Sequence, residues 1–300
     1  MKLTGLHFLL SYQCTFECDH CFVWGSPFQT GTFTLQAIED VLDQAKATGT
    51  VSSVYFEGGE PFMYYGTLLG AVRRAKELGF EVGIVSNSYW ALSLKDALAW
   101  LEPFAGLLDD LSVSSDLYHA DEKISQQALN ASQAAARLGI PCGMISISQP
   151  EGGCQELPNV GQLPEGESGI MYRGRAVEKL VGQASKQPWD GFNTCPYEDL
   201  VEPGRIHVDP LGFLHICQGI TIGNLFEKPL DEICRDYDPK SHPIVGALLD
   251  GGPVELVERY SLDHHESYAD ACHMCYLSRV QLRERFPEIL APDQMYGVVQ

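Results

Sequence analysis

The feature that most restricts the fold of this chain is a regular alternation between short apolar runs and amphipathic stretches of helical period. Five apolar runs have the length and character of strands, over residues 6–12, 51–59, 80–88, 108–115 and 139–148. The stretches between them repeat apolar residues on one face, which predicts helices over 34–49, 66–79, 94–101 and 122–138. Alternation of this kind is typical of βα units in a parallel sheet, whose functional residues follow the carboxyl ends of the strands. With a sixth strand over 169–175, the sequence predicts an α/β fold, a partial (β/α)6 barrel.

The pattern changes in the second half of the chain. Residues 149–168 are rich in Gly, Pro and Glu, which indicates a loop. Residues 205–217 contain two strand-like runs around the turn sequence Asp-Pro-Leu-Gly, which predicts a β-hairpin. Shorter helical pieces and a basic helix over 276–286 follow. We therefore expect a barrel domain over 1–185 and a small C-terminal extension over 186–300, made of a hairpin and helices.

Charge and hydropathy exclude several classes of protein. The chain has 300 residues with 40 acidic and 20 basic side chains, a formal charge of −20, which argues against binding nucleic acid or an anionic membrane. The apolar runs fall short of the roughly 18 residues that span a membrane, and the first ten residues do not resemble a signal peptide. We expect a cytoplasmic protein. Because disulfides are rare there, the ten cysteines indicate metal or redox chemistry.

The strongest local signal is a group of three cysteines, Cys14, Cys18 and Cys21, that follows the first predicted strand. Three thiolates at this spacing can bind three irons of a cubane cluster and leave the fourth iron open. The spacing alone also allows a zinc loop with a distant fourth ligand, His20 included.

A second signal stands at the end of the second predicted strand, where the sequence is Gly58-Gly59-Glu60-Pro61. Paired glycines expose backbone carbonyls, and Glu60 adds a carboxylate, so this site could hold an ammonium group. Alone the sequence indicates only a turn. Its position one βα unit after the cysteine loop makes the combination of the two motifs informative.

Residues 14–21 and 57–61 resemble the radical S-adenosylmethionine (radical SAM) superfamily, whose motifs are C-x3-C-x2-C and GGE or GGEP. The resemblance implies that the three cysteines hold a 4Fe–4S cluster whose open iron binds the amino and carboxylate groups of SAM. It implies that Glu60 and the backbone of Gly58 and Gly59 receive the methionine ammonium. It also implies that a 5′-deoxyadenosyl radical, formed by reductive cleavage of SAM, abstracts a substrate hydrogen.

Further positions follow from the same resemblance. Ser86 and Asn87 are similar to the small polar pair that approaches the SAM ribose, and Ser114 and Asp116 to a stretch whose serine helps hold SAM. Each could also be only a helix cap. Relatives usually carry an arginine for the SAM carboxylate about a dozen residues later, where this chain has Gln126 with Lys123 nearby.

A second possible ligand set consists of four cysteines, Cys195, Cys217, Cys272 and Cys275. A C-x2-C pair with two distant cysteines suits either zinc or an iron–sulfur cluster. The hairpin sequence, the C-x2-C pair and the preceding Gly174-Arg175-Ala176 resemble the C-terminal extension of SPASM and Twitch radical SAM proteins. This resemblance implies one auxiliary 4Fe–4S cluster, for which Cys234 is a possible substitute ligand.

Two further cysteines remain. Cys142, in the predicted strand 139–148, is expected to be a buried small hydrophobe, and Cys154 has no assigned role. From position alone, Tyr172, Arg173 and Arg175 are expected to face the substrate.

The resemblance thus implies a radical SAM enzyme that acts on a peptide, a protein or a small molecule and receives electrons from a reductant such as a flavodoxin or ferredoxin. The alternative is a non-catalytic iron–sulfur or zinc protein that serves as a scaffold or electron carrier.

Overall fold

A computed structural model describes residues 1–150 and 166–298. Its strands are β1 (Gly5–Ser11), β2 (Ser53–Gly58), β3 (Glu81–Ser86), β4 (Asp110–Ser114), β5 (Cys142–Ile147), β6 (Gly166–Ser168), β7 (Gln187–Pro188), β8 (Arg205–Val208), β9 (Phe213–Cys217), β10 (Ile220–Asn224) and β11 (Ser267–Tyr268). Nine of them form one sheet in the order β10-β9-β8-β1-β2-β3-β4-β5-β6. Strands β1 to β6 pair in parallel throughout. The predicted α/β fold with a mostly parallel sheet is therefore confirmed.

The helices connect the parallel strands much as the periodicity predicts. They are α1 (Leu35–Ala47), α2 (Tyr65–Glu77), α3 (Leu94–Leu101), α4 (Gln126–Leu138), α5 (Ala176–Lys179), α6 (Leu230–Asp236), α7 (Pro243–Tyr260) and α8 (Ala271–Leu282). Hydroxyl side chains cap three of them: Thr34, Ser93 and Ser125 each accept a hydrogen bond from the backbone N–H three residues later. The cap at Ser125 explains why α4 begins four residues after the predicted start at 122.

The sixth strand differs from the prediction. It is Gly166–Ser168, and residues 169–175 leave the sheet. At Gly174 the backbone has a φ of +60°, and a Cβ there would lie 2.6 Å from the carbonyl oxygen of Cys21. The strand predicted over 169–175 does not form, because Ile170 and Tyr172 pack with Ala176, and Gly174 and Arg175 contact the cysteine loop instead.

The hairpin of the second half joins the barrel sheet. Strand β8 pairs in parallel with β1, with Leu6 beside Ile206 and Phe8 beside Val208, and β9 and β10 continue the sheet in the antiparallel sense. The last helix was predicted over 276–286, after the C-x2-C pair, but α8 begins at Ala271 and contains both cysteines near its start. The helix begins there because the Asp270 carboxylate accepts a hydrogen bond from the N–H of His273 at 2.7 Å.

Along each strand of the sheet, successive side chains alternate between two environments. Leu6 and Phe8 on β1, Phe56 on β2 and Ile206 on β8 are buried in the apolar core shared with the outer helices. A second core contains residues of α7 and α8. Because successive side chains point to opposite faces, the residues between these apolar positions face the inside of the barrel. Within the described residues, none of the helices is both long and apolar enough to cross a membrane.

Candidate functional site

The three cysteines of the first motif lie together at the wall of a cavity of about 240 Å³ inside the barrel, lined by the ends of β1 to β5 and named the main cavity because it contains the predicted site. The loop that carries them follows β1, so Cys14, Cys18 and Cys21 stand at the carboxyl end of the parallel strands. Two of the sulfurs accept backbone hydrogen bonds, Cys14 from the N–H of Phe16 at 3.5 Å and Cys21 from the N–H of Gly25 at 3.2 Å. Such N–H···S bonds stabilise thiolates that bind iron.

The cysteine environment fits a cationic metal group. Burial raises the pKa of Cys14 to about 12 and raises that of Cys18 further, and repulsion between the neighbouring thiolates adds to both. The thiolate forms therefore need a positive partner such as iron. Gly25 packs closely against the cysteine loop, since a Cβ there would lie 3.3 Å from Cys14 Cβ, 3.4 Å from Gly59 Cα and 3.6 Å from Cys21 Sγ.

Arg175 is hydrogen-bonded to the backbone of the cysteine loop. Its guanidinium donates to the carbonyl oxygens of Cys18 at 2.8 Å and Gly25 at 2.7 Å. Its backbone N–H donates to the carbonyl oxygen of Cys21 at 3.0 Å. These three bonds fix both ends of the loop and leave the guanidinium buried. Arg175 is thus a positioning residue for the loop.

One of the three residues expected to face the substrate lies at the main cavity. Among the described residues that line the main cavity, Arg173 is included, whereas Tyr172 and Arg175 are not. Tyr172 is buried, and its backbone N–H donates to Asp270 at 3.1 Å.

The glycine pair allows the end of β2 to approach the end of β1 closely. The N–H of Gly59 donates to the carbonyl oxygen of Ser11 at 2.6 Å, and the N–H of Glu60 to that of Gln13 at 2.9 Å. A Cβ at Gly59 would lie 2.0 Å from the Gln13 oxygen, and Gly58 has a φ of +127°. Glycine is therefore required at both positions by the backbone itself.

Glu60 connects the end of β2 to the end of β3. Its side chain is fully buried and accepts three hydrogen bonds, from the N–H of Phe62 at 3.0 Å, from Ser86 Oγ at 2.9 Å and from the N–H of Asn87 at 2.8 Å. Burial raises the pKa of Glu60 to about 7 although these bonds favour the ionised form. Of the described residues, the glycine pair, Ser86 and Asn87 line the cavity, whereas Glu60 does not. That Glu60 receives the methionine ammonium stays a prediction.

Asn87 links this group of residues to the cysteine loop. Its side-chain amide donates to Cys14 Sγ at 3.5 Å and to Thr15 Oγ1 at 3.1 Å. The predicted polar pair after β3 and the first cysteine are thus in contact.

The opposite wall carries Ser114, the last residue of β4, and Asp116, which follows the strand; both line the cavity. Asp116 lies 2.7 Å from Nδ1 of His119 and 3.6 Å from Nε2 of His20. Burial alone would raise the pKa of Asp116, but the hydrogen bonds and charges of the two histidines lower it well below the usual range. His119 was not singled out from the sequence, although it also lines the cavity.

The two side chains considered for the SAM carboxylate have other partners. Lys123 pairs with Glu167 at 2.7 Å, and the Gln126 amide donates to Asn130 at 3.1 Å. Neither Lys123 nor Gln126 is among the described residues that line the main cavity.

Deeper in the barrel the cavity is lined by a polar trio that sequence reasoning missed, His7, Glu57 and His207. Glu57 Oε1 lies 2.9 Å from His7 Nδ1 and 2.8 Å from His207 Nε2. Burial alone would raise the pKa of Glu57, yet the two histidines lower it well below the usual value. Burial lowers the pKa of His207 to about 4, so this imidazole is neutral at pH 7. Strand alternation could have placed each residue inside the barrel, but not beside the others.

The second set of cysteines also comes together. Cys195, Cys217, Cys272 and Cys275 all line one small cavity beside α8. Burial raises the pKa of Cys195 to about 12 and raises those of Cys217 and Cys272. Like Cys14 and Cys18, these three thiols need a cation to become thiolates. Together with Cys275 they supply four sulfur ligands, the number that a zinc ion or a cluster requires.

Arg173 lies between the two cavities and lines both of them. Its guanidinium pairs with Glu198 at 3.0 Å and approaches Cys217 Sγ at 3.5 Å. Burial alone would lower the pKa of Arg173, but the charges of Cys217 and Glu198 raise it above the usual value. A fixed cation therefore stands beside the second set of cysteines.

The remaining cysteines lie elsewhere. Cys234, on α6, is buried in the first apolar core and is not among the described residues that line the second cavity. Cys142 packs against the same core but is only half-buried, not buried as predicted, and its Sγ lies 3.8 Å from Ser132 Oγ. Cys154 lies outside the described residues.

A parallel α/β barrel with three cysteines and a glycine pair at the carboxyl ends of its strands is an arrangement typical of enzymes that bind a metal cofactor. Residues 8–147 match the family model of the Radical SAM superfamily. These findings support membership of that superfamily.

Two curated relatives match part of the chain. YydG of Bacillus subtilis (strain 168), named for peptide biosynthesis, is 29% identical over 112 residues, 37% of this chain and 35% of its own length. An S-adenosylmethionine-dependent nucleotide dehydratase of Selenomonas ruminantium is 29% identical over 124 residues, 41% of this chain and 43% of its own length. The chain thus spans about two-fifths of the curated relatives that it matches.

Solved structures resemble the whole fold. BtrN in complex with AdoMet and 2-DOIA has a TM-score of 0.56 at 14% identity, over 85% of this chain and 90% of that chain. Native anSMEcpe with bound AdoMet has a TM-score of 0.50 at 12% identity, over 95% of this chain and 97% of that chain. At these identities the likeness concerns the fold alone.

Proposed function

We propose that this protein is a radical SAM enzyme that reductively cleaves S-adenosylmethionine and abstracts a hydrogen atom from its substrate. The observation that carries the proposal is the convergence of three free thiols, the glycine pair and the end of β3 on one cavity. The match of residues 8–147 to the superfamily supports the same reading.

The chain's own residues fit the implied cofactors. Cys14, Cys18 and Cys21 would hold a 4Fe–4S cluster, with the N–H groups of Phe16 and Gly25 stabilising its thiolates. The residues proposed to hold SAM are Gly58, Gly59, Glu60, Ser86, Asn87, Ser114 and Asp116. When bound, the reduced cluster and SAM together supply the 5′-deoxyadenosyl radical that abstracts the hydrogen.

The protein contributes rigidity and charge. Arg175 fixes the cysteine loop through two carbonyl oxygens, and Glu60 fixes the end of β3 against the end of β2. Asp116, ionised beside His20 and His119, adds a negative charge to the cavity wall. The substrate would enter the same cavity, where the polar trio and Arg173 are available to bind it.

We also propose that Cys195, Cys217, Cys272 and Cys275 hold an auxiliary 4Fe–4S cluster. Four thiols around one cavity, with the Arg173 guanidinium 3.5 Å from Cys217 Sγ, support a site with net negative charge. A cluster with four protein ligands suits electron transfer or a structural role better than direct binding of substrate.

The proposals for substrate, electron donor and location rest on the names of the relatives, on the class of enzyme and on the cysteines. The names of the curated relatives favour a peptide or protein in one case and a nucleotide in the other, so the proposal covers both a peptide or protein and a small molecule. A flavodoxin or ferredoxin is the proposed electron donor. None of the nine described cysteines is in a disulfide, which supports a cytoplasmic location.

Anaerobic reconstitution with iron and sulfide, followed by incubation with SAM and dithionite, tests the proposal. We expect about eight irons per chain and formation of 5′-deoxyadenosine. Cys18→Ala should abolish 5′-deoxyadenosine formation, whereas Cys142→Ala, which changes a cysteine outside both sets, should not. Zinc in place of iron, or iron without cleavage of SAM, would instead favour a non-catalytic scaffold or electron carrier.

A further inference from the structure

We propose that His7, Glu57 and His207 form a binding site for one divalent first-row transition-metal ion inside the barrel, separate from both sets of cysteines. The site goes beyond the proposed function, which does not require it.

The donor atoms have the spacing of metal ligands. Glu57 Oε1 is 2.9 Å from His7 Nδ1 and 2.8 Å from His207 Nε2, and one ligand atom from each residue lies within 4.8 Å of the others. Two ligands at right angles around a metal, with bonds of about 2.1 Å, are about 3 Å apart. Two imidazoles and one carboxylate on one side of a metal are a ligand set that iron, manganese and zinc accept.

The sheet holds the trio in place. His7 lies on β1 and is the register partner of His207 on β8, and Glu57 follows on β2, the other neighbour of β1. Tyr55 stacks on the His7 ring at a centroid distance of 4.8 Å, and Phe22 meets the edge of His207 at 6.1 Å. Ligands on three adjacent strands, packed by aromatic rings, are positioned before a metal arrives.

The remaining coordination positions would face the cavity. The side chains of His7, Glu57 and His207 keep 9%, 15% and 21% of their surface exposed, and all three line the cavity that the cysteine loop closes. A metal here could bind a substrate that reaches toward the SAM site.

The charge nearby indicates the chemistry of such a substrate. Arg205 also lines the cavity, two residues before His207 on the same face of β8. Its guanidinium opposes a bare cation and favours a negatively charged ligand on the metal. A carboxylate or phosphate group of the substrate meets that requirement.

The competing interpretation is a hydrogen-bonded cluster in which both imidazoles donate to Glu57. Titration of the reconstituted protein with Mn(II) distinguishes the two, with unbound Mn(II) followed by its electron paramagnetic resonance signal. Mn(II) is the probe because it prefers carboxylate and imidazole ligands to thiolates, so the cysteine sets compete weakly for it.

We expect about one Mn(II) per chain, bound with a Kd below about 100 μM. Glu57→Gln should weaken binding at least about tenfold. Glu198→Gln makes the same substitution at another glutamate of the main cavity and should bind Mn(II) as the wild type does.

A wild-type protein that binds no stoichiometric Mn(II) up to about 1 mM would overturn the proposal. Equal binding by the wild type and Glu57→Gln would overturn it as well. If circular dichroism shows that Glu57→Gln does not fold, His207→Gln takes its place. Because the readout needs neither SAM nor an electron donor, its result is independent of the 5′-deoxyadenosine assay.

Discussion

The substitution Gly59→Ala tests whether the approach of β2 to β1 holds the cysteine loop in place. The Cβ that it adds would lie 2.0 Å from the carbonyl oxygen of Gln13, in the chain segment that leads to Cys14. The clash is with backbone, so a change of side-chain rotamer cannot relieve it. The ends of the two strands must instead separate by about 1.3 Å to reach an ordinary C···O contact of about 3.3 Å.

The energetic cost follows from the contacts that this separation weakens. The N–H of Gly59 donates to Ser11 and that of Glu60 donates to Gln13, and each bond contributes about 1 kcal/mol. Inserting a methyl group into a packed region costs a further 1–3 kcal/mol, roughly. We therefore expect Gly59→Ala to lower the free energy of unfolding by about 3–5 kcal/mol and to reduce the iron content of the first site.

Urea unfolding of the reconstituted protein without oxygen, with iron counted per chain, provides the measurement. Gly66→Ala is the matched control, because a Cβ at Gly66 on α2 meets nothing within 4 Å. That control should keep the wild-type iron content and gain up to about 1 kcal/mol. Wild-type iron content together with a loss of less than about 1 kcal/mol in Gly59→Ala would refute the reasoning.

Three further predictions concern other contacts. Arg175→Lys should lower the free energy of unfolding by about 2–3 kcal/mol and reduce iron content, because an ammonium cannot reproduce both bonds to Cys18 and Gly25. As the pH falls from about 6.5 to about 4, the lowered pKa of His207 should reduce the free energy of unfolding by up to about 3 kcal/mol, because the unfolded chain binds a proton at a higher pH than the folded chain does. Urea unfolding at several pH values measures this effect. Cys272→Ser should reduce the iron count from about eight to about four per chain.

Each of these has a control within the chain. Arg137→Lys, at an exposed position on α4, should change neither stability nor iron content. His207→Phe should remove the contribution of His207, so an unchanged pH dependence in that variant would count against the assignment. Cys142→Ser should keep all the iron, and equal losses from Cys142→Ser and Cys272→Ser would contradict an auxiliary cluster.

The elements of the barrel were predictable because their signal is local. Helix α1 shows its period within 16 residues, and the Thr34 hydroxyl caps it. The failure at residues 169–175 has the opposite cause. Ile170 and Tyr172 give that segment the apolar character of a strand, yet contacts with the cysteine loop and α8 determine its path. The sequence does not show those contacts.

The residues of the site likewise fall into those that the sequence could group and those that it could not. The cysteines could be grouped by spacing, since Cys14, Cys18 and Cys21 lie in one loop and Cys272 and Cys275 in one helical turn. The polar trio could not be found, because its histidines are 200 residues apart in sequence. The pairing of β1 with β8 makes them neighbours, and no local sequence pattern predicts that pairing.

That pairing has a practical consequence for handling the protein. Strand β1, with the sequence GLHFLLS, is buried along its full length because β2 covers one edge and β8 covers the other. Cutting the chain at residue 185 would remove β8 and leave an apolar strand with an open row of N–H and C=O groups. Such an edge recruits other chains and promotes aggregation. The first half of the chain therefore depends on the second half for its solubility, and both should be produced as one polypeptide.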